Sequence, residues 1–174
     1  PVVAAAVVFP KKYKNKLIND SKKLSKLNRY KLQKTIKNEA ISWSIGIVNE
    51  TEIDKINILN ASFLAMHKAI YGLEVKPSLL LVDGNRFKAY PNIAHKCIIK
   101  GDSKYISIAA ASILAKTFRD DLMKKLDERF PEYDWKNNKG YPTKKHKLAI
   151  NKIGICKYHR KSFQLFNNQV KLNL

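Results

Sequence analysis

The chain has 174 residues, 45% of them apolar and 28% charged, with a formal net charge of +20. This length and apolar share suit one folded domain with a real core and exclude a disordered basic tail. Thirty-four Lys and Arg against 14 Asp and Glu favour a polyanionic partner, most simply nucleic acid, although a chain rich in Lys, Asn and Ile owes part of that excess to compositional bias.

Residues 2–9 read as a buried strand closed by Pro10, and residues 11–19 as a basic loop. Asp20 and Ser21 offer N-cap side chains to a helix over about 22–38. The alternation of residues 41–48 predicts a strand with Trp43, Ile45 and Ile47 on one side. Thr51 with Asp54 resembles a capping box. The helix that follows carries a stripe of Ile53, Ile56, Leu59, Phe63, Met66 and Ile70, and Gly72 ends it. After Pro77, residues 79–82 predict a buried strand, and residues 94–99 a second short one. A long helix over about 106–129 buries Ile106, Ala110, Ile113, Leu114, Phe118, Leu122 and Leu126, and Pro131 stops it. Thr143 caps a last helix over 144–153, closed by Gly154. The order β, α, β, α, β, β, α, α predicts a mixed α/β domain over residues 1–166, with a polar tail at 167–174 expected to fray.

Two widely spaced cysteines, Cys97 and Cys156, provide neither a zinc site nor a disulfide framework and fit a reducing cytoplasm. No apolar run reaches the roughly 18 residues of a membrane span, so no membrane role is expected. Nothing at the N-terminus resembles a signal peptide. The chain opens at Pro1, directly inside an apolar strand, and is expected to have lost a segment in front of it.

Asp83 closes the apolar run that ends at Val82 and precedes Gly84. A buried strand delivers a carboxylate to the rim of a sheet in this way, within reach of a metal or substrate. Asp-Gly-Asn is equally a good turn sequence. Asp120 lies on the long helix, where its spacing alone favours an ion pair with Lys116 or Lys124. Asp102, just ahead of that helix, reads as a turn or N-terminal charge rather than a ligand. Ser21, Lys22 and Lys23 at a helix start suit a phosphate, or else form a capped helix with solvated lysines. Tyr141, between Gly140 and Pro142 and flanked by Lys139, Lys144 and Lys145, either stacks on a sugar or base or plugs the core edge. His146 touches phosphate or packs, and His67 is structural. Residues 158–163 form a basic patch or dock through Phe163 and Phe166. An acid-tipped strand and an acid on a helix, in so basic a chain, suggest metal-assisted work on a polyanion.

Taken together, several segments resemble bacterial ribonuclease HII. They are Pro1-Val2-Val3-Ala4-Ala5-Ala6, residues 19–25, residues 52–59, Leu81-Val82-Asp83-Gly84-Asn85, Lys100-Gly101-Asp102, residues 107–120, Lys139-Gly140-Tyr141 and His159-Arg160-Lys161-Ser162-Phe163. Single pieces are weak, but so many in the right order are highly specific. The resemblance implies a ribonuclease H-like mixed sheet flanked by helices, with a C-terminal helical extension whose residues 136–166 contact substrate. It implies an endonuclease that hydrolyses the RNA strand of RNA–DNA hybrids and cuts 5′ to ribonucleotides embedded in duplex DNA. It implies four carboxylates holding two divalent ions, Mg²⁺ or Mn²⁺. By position Asp83 matches the third acid and Asp120 the fourth, making both catalytic metal ligands. Tyr141 matches a tyrosine that senses the step from ribose to deoxyribose, and Ser21, Lys22 and Lys23 match a phosphate-contacting segment.

One departure stands out. The family's first two acids lie in an Asp-Glu-x-Gly-Arg-Gly segment, on the first and central strand of its sheet. That segment comes just before the stretch at which this chain starts. The expectation is therefore that the 174-residue polypeptide cannot hold both ions and cuts little, whereas the complete gene product is active. The alternative is a non-catalytic nucleic-acid-binding relative that has lost the metal site. Nothing in the sequence demands more than a monomer.

Overall fold

The computed structural model describes residues 1–163. They fall into two compact units that divide between Asp121 and Leu122.

In the first unit, β1 (Val2–Val8) and β2 (Ser42–Val48) form an antiparallel ribbon with Val2 opposite Val48 and Val8 opposite Ser42. Because side chains alternate along a strand, each face of the ribbon has its own core. On one face Ala5, Val7, Trp43 and Ile45 pack against Leu32 and Ile36 of α1 (Lys26–Glu39) and Ala109, Ala110, Ile113 and Leu114 of α3 (Ile106–Arg129). On the other face Val2, Ala4 and Val48 meet Ile53, Ala61 and Ala65 of α2 (Glu50–Tyr71). The small residues of α2 let the helix backbone come close: a Cβ built on Gly46 would lie 1.9 Å from the Ala65 carbonyl oxygen.

A second ribbon pairs β3 (Leu79–Asp83) in parallel with β4 (Ala94–Ile98), and Leu80 and Val82 pack with Ile93, Met66 and Ile70. Among the described residues β1 pairs only with β2, and β3 only with β4. The mixed sheet expected from the sequence is thus present as two ribbons. An apolar cleft of about 660 Å³, lined by residues of β1, β3 and α3, lies between them.

Helix ends account for most differences from the sequence reading. Helix α1 starts at Lys26, capped by Ser25, whose side chain accepts the Asn28 N–H; residues 20–24 form a turn ahead of it rather than its first turn. The capping box of α2 is Asn49 with Glu52, two residues earlier than Thr51 with Asp54. Glu52 also hydrogen-bonds Lys68, and that bond leads the causes that hold its carboxyl below the usual range. The boundaries of α3 and of α5 (Lys144–Ile153), with Thr143 as the α5 cap, agree with the expectation.

The second unit is built on Met123, Leu126, Tyr133, Trp135 and Ile150, with a short helix α4 (Trp135–Asn138) that periodicity could not reveal. His146 and His159 stack within it at 5.3 Å between ring centroids. Phe166, and the tail expected to fray, lie outside the described residues. Among the described residues no helix is long and apolar enough to cross a membrane.

Candidate metal and nucleic-acid site

Asp83 is the last residue of β3 and is exposed, and Gly84 turns the chain away with φ +112°. The apolar run therefore does carry a carboxylate to a strand end. Its Oδ1 accepts the N–H of Gly101 at 2.8 Å. Parallel pairing explains the meeting. β3 and β4 run side by side, with Asp83 opposite Ile98, so the residues leaving β4 emerge at the same rim as Asp83. Lys100 takes a left-handed conformation, and a short 3₁₀ turn, Gly101–Ser103, then enters α3. Gly101 is buried at this approach. A Cβ on it would lie 2.6 Å from Ile108 Cδ1 and 3.3 Å from Asp83 Oδ1.

The residue brought beside Asp83 is therefore Asp102. Its side chain is 8% exposed, and the ammonium of Lys22 stands 3.9 Å from Oδ2 on a side chain that is 82% exposed. The carboxylate is thus held at the rim, largely out of solvent, with a solvated ammonium near it. Together with Asp83 it offers hard oxygen donors of the kind that suit Mg²⁺ or Mn²⁺. Among the described residues no group of three or more His, Cys, Asp or Glu side chains is gathered for a metal.

Asp120 is not brought to this rim. It lies twelve residues beyond Ile108, about 18 Å along the helix axis at 1.5 Å per residue. Its carboxylate is buried against Lys116 Nζ at 2.9 Å, one turn earlier on α3. Next to it the Tyr30 hydroxyl hydrogen-bonds Asp121. Burial first, and that bond second, push the Tyr30 phenol well above its ordinary range. The helical spacing thus produced the ion pair it suggested, not a partner for Asp83.

Ser21 is also buried, its hydroxyl 2.9 Å from that of Ser112 on α3, so it faces the protein rather than a phosphate. Lys22 and Lys23 are exposed, and Lys22 reaches the Asp83–Asp102 rim through its ion pair. Tyr141 belongs to the second unit and is 67% exposed, on a loop in which Lys139 and Gly140 both have positive φ. It does not plug a core edge. His146 packs, its Nδ1 3.0 Å from the Tyr133 carbonyl, and His67 holds the Lys88 carbonyl. In the 158–163 segment Tyr158 and His159 pack on Phe130, Tyr133 and Trp135, and Arg160 lies over the Phe163 ring. Asp102, read from the sequence as a turn or N-terminal charge, is the carboxylate that the fold places next to Asp83. The available signal was a Gly-Asp step just beyond β4, matching the Asp-Gly step that ends β3.

The fold is similar to that of ribonuclease H2 from Pyrococcus horikoshii, with a TM-score of 0.73 at 22% identity over 94% of each chain. It is also similar to the RNase HII of Archaeoglobus fulgidus, solved as a complex with PCNA, with a TM-score of 0.69 at 20% identity over 97% of each chain. These likenesses define the fold as ribonuclease H-like. The family model for ribonuclease HII matches residues 1–166. Two proteins named ribonuclease HII are alike in sequence. That of Bacteroides fragilis is 60% identical over 167 residues, covering 96% of this chain and 83% of that one. That of Christiangramia forsetii is 58% identical over 173 residues, covering 99% and 87%. The chain belongs to the ribonuclease HII family, a family of endoribonucleases.

Proposed function

We propose that the protein is an endonuclease that hydrolyses the RNA strand of RNA–DNA hybrids and cuts 5′ to single ribonucleotides embedded in duplex DNA, using two divalent ions, Mg²⁺ or Mn²⁺. The observation that supports this most is the hydrogen bond from Gly101 to Asp83, which sets two carboxylates and Lys22 at one strand rim. In this reading Asp83 and Asp102 hold metal, and Asp102 takes the place that position along the sequence assigned to Asp120. Bound divalent ions supply an activated water and neutralise charge at the attacking and leaving oxygens. The chain's own share is to bind and orient. Lys22 and Lys23 draw the phosphate backbone in, and Tyr141, within the 136–166 segment, stacks where the ribose meets the deoxyribose. Discrimination of RNA from DNA rests on the 2′-hydroxyl.

The test is incubation of the complete gene product with a duplex carrying one ribonucleotide. A single cut 5′ to it is expected with Mn²⁺ and none after chelation. Retained duplex binding without any metal-dependent cut would establish the non-catalytic reading instead.

A further inference from the structure

The turn that presents Lys22 and Lys23 is held from behind by a residue that no motif singles out. Arg29, in the first turns of α1, directs Nη1 at two backbone carbonyls, that of Ser21 at 3.1 Å and that of Leu24 at 2.5 Å. Its Nε is buried without a hydrogen-bond partner. Arg29 is half-buried, and its Nη1 is committed to backbone carbonyls. The rest of the turn is closed as well. Ser21 Oγ meets Ser112 Oγ at 2.9 Å. The Asp20 carboxylate accepts the Lys22 N–H at 2.9 Å, and the Asp20 carbonyl accepts the Lys23 N–H at 3.0 Å. The two lysine side chains are what the turn presents outward, and that of Lys22 points to Asp102.

We propose that Arg29 is a positioning residue for nucleic-acid binding: it fixes the 21–24 turn so that Lys22 and Lys23 meet phosphate beside Asp102, without touching phosphate itself. This rests on the reading of those lysines as phosphate contacts. The physical reason is entropic. A solvated lysine gains little from each phosphate, so affinity depends on how much backbone must be ordered on binding, and a tethered turn is ordered beforehand. Arginine suits the task because Nη1 holds two N–H donors in the fixed plane of the guanidinium, one for each carbonyl, whereas the lysine ammonium rotates freely on a flexible stem.

The experiment measures affinity for an RNA–DNA hybrid by fluorescence anisotropy, without divalent metal and across a salt series. The proteins compared are the parent, R29A, R29K, S112A, K22A/K23A and K22A/K23A/R29A, each with its thermal midpoint recorded. R29A is expected to weaken binding about tenfold, R29K to weaken it less, and S112A, which cuts the other tether of the same turn, to weaken it as well. In the K22A/K23A background R29A should add no further loss and leave the salt slope unchanged. An additive loss with a slope lower by about one would make Arg29 a direct phosphate contact and overturn the proposal. Parent-like affinity of R29A would also overturn it, as would parent-like affinity of both R29K and S112A should R29A fail to fold. Unchanged binding by K22A/K23A would remove the phosphate reading of the lysines, and this role for Arg29 with it.

Discussion

Three aspartates carry similar local signals and end in different places. Asp83 and Asp102 share a rim because one accepts the N–H of the residue before the other, whereas Asp120 is neutralised by Lys116 further along α3. The two fates predict opposite phenotypes in the complete gene product. Asp102→Asn should lower cleavage by about 100-fold or more and weaken Mn²⁺ binding measured by calorimetry, since a neutral amide is a poor partner for a hard dication. Asp120→Asn should leave Mn²⁺ affinity near the parent value and lower only thermal stability, because it unpairs Lys116 from a buried position. The reverse pattern would return Asp120 to the metal site. Sequence reasoning ranked Asp120 above Asp102 as a ligand, and local signals offered no means to reverse that order. Asp102 sits in a Gly-Asp-Ser turn, and a turn signal is the same whether the carboxylate caps a backbone or faces an ion.

Between elements, close approach matters more than side-chain size. Gly46 faces the Ala65 and Ala69 backbone of α2, and a Cβ there would lie 1.9 Å from an oxygen that is already a helix acceptor. Gly46→Ala should therefore push β2 off α2 and destabilise the fold by about 3 kcal/mol in chemical denaturation, as overpacking does. In the second unit, burial holds His159 below its ordinary pKa of 6.5, and the neighbouring His146 lowers it further. The folded state then binds fewer protons than the unfolded chain as pH falls through 6.5, so stability is complete above that value and is lost as pH drops toward the folded pKa. Thermal melts from pH 7.5 to pH 5 should show this decline, and His159→Gln should flatten it. The span of α3 and the Thr143 cap were legible in spacing; of the predicted α3 face Ala110, Ile113, Leu114 and Leu126 are buried, whereas Ile106, Phe118 and Leu122 are half-buried and Ile108 and Met123 are buried instead. The pairing of Asn49 with Glu52 over Thr51 with Asp54 was not legible, because both fit the same capping pattern and the strand end decides between them.

A net charge of +20 on 174 residues acts on the whole chain in two opposed ways. It attracts a polyanion and repels itself. Added salt should weaken hybrid binding steeply while raising the thermal midpoint of the free protein. Both are readable in one NaCl titration, and a midpoint that falls with salt would show that specific ion pairs outweigh self-repulsion. The elements were legible in the linear pattern because each depends on near neighbours: an apolar run in β1, alternation in β2, three-to-four spacing in α3, and Pro, Gly and Thr at the ends. The stripe read on α2 is not its buried face, since Leu59 is exposed and Ala61, Ala65 and Ala69 are buried with Ile53. The family was legible as well, because many short segments in a fixed order are specific where each alone is weak. The identity of the carboxylate beside Asp83, the burial of Ser21 on Ser112 and the grip of Arg29 on the 21–24 turn were settled only by folding. Each joins residues whose encounter is set by the parallel register of β3 and β4 and by the packing of α1 and α3 on one ribbon, and no local spacing encodes such a meeting.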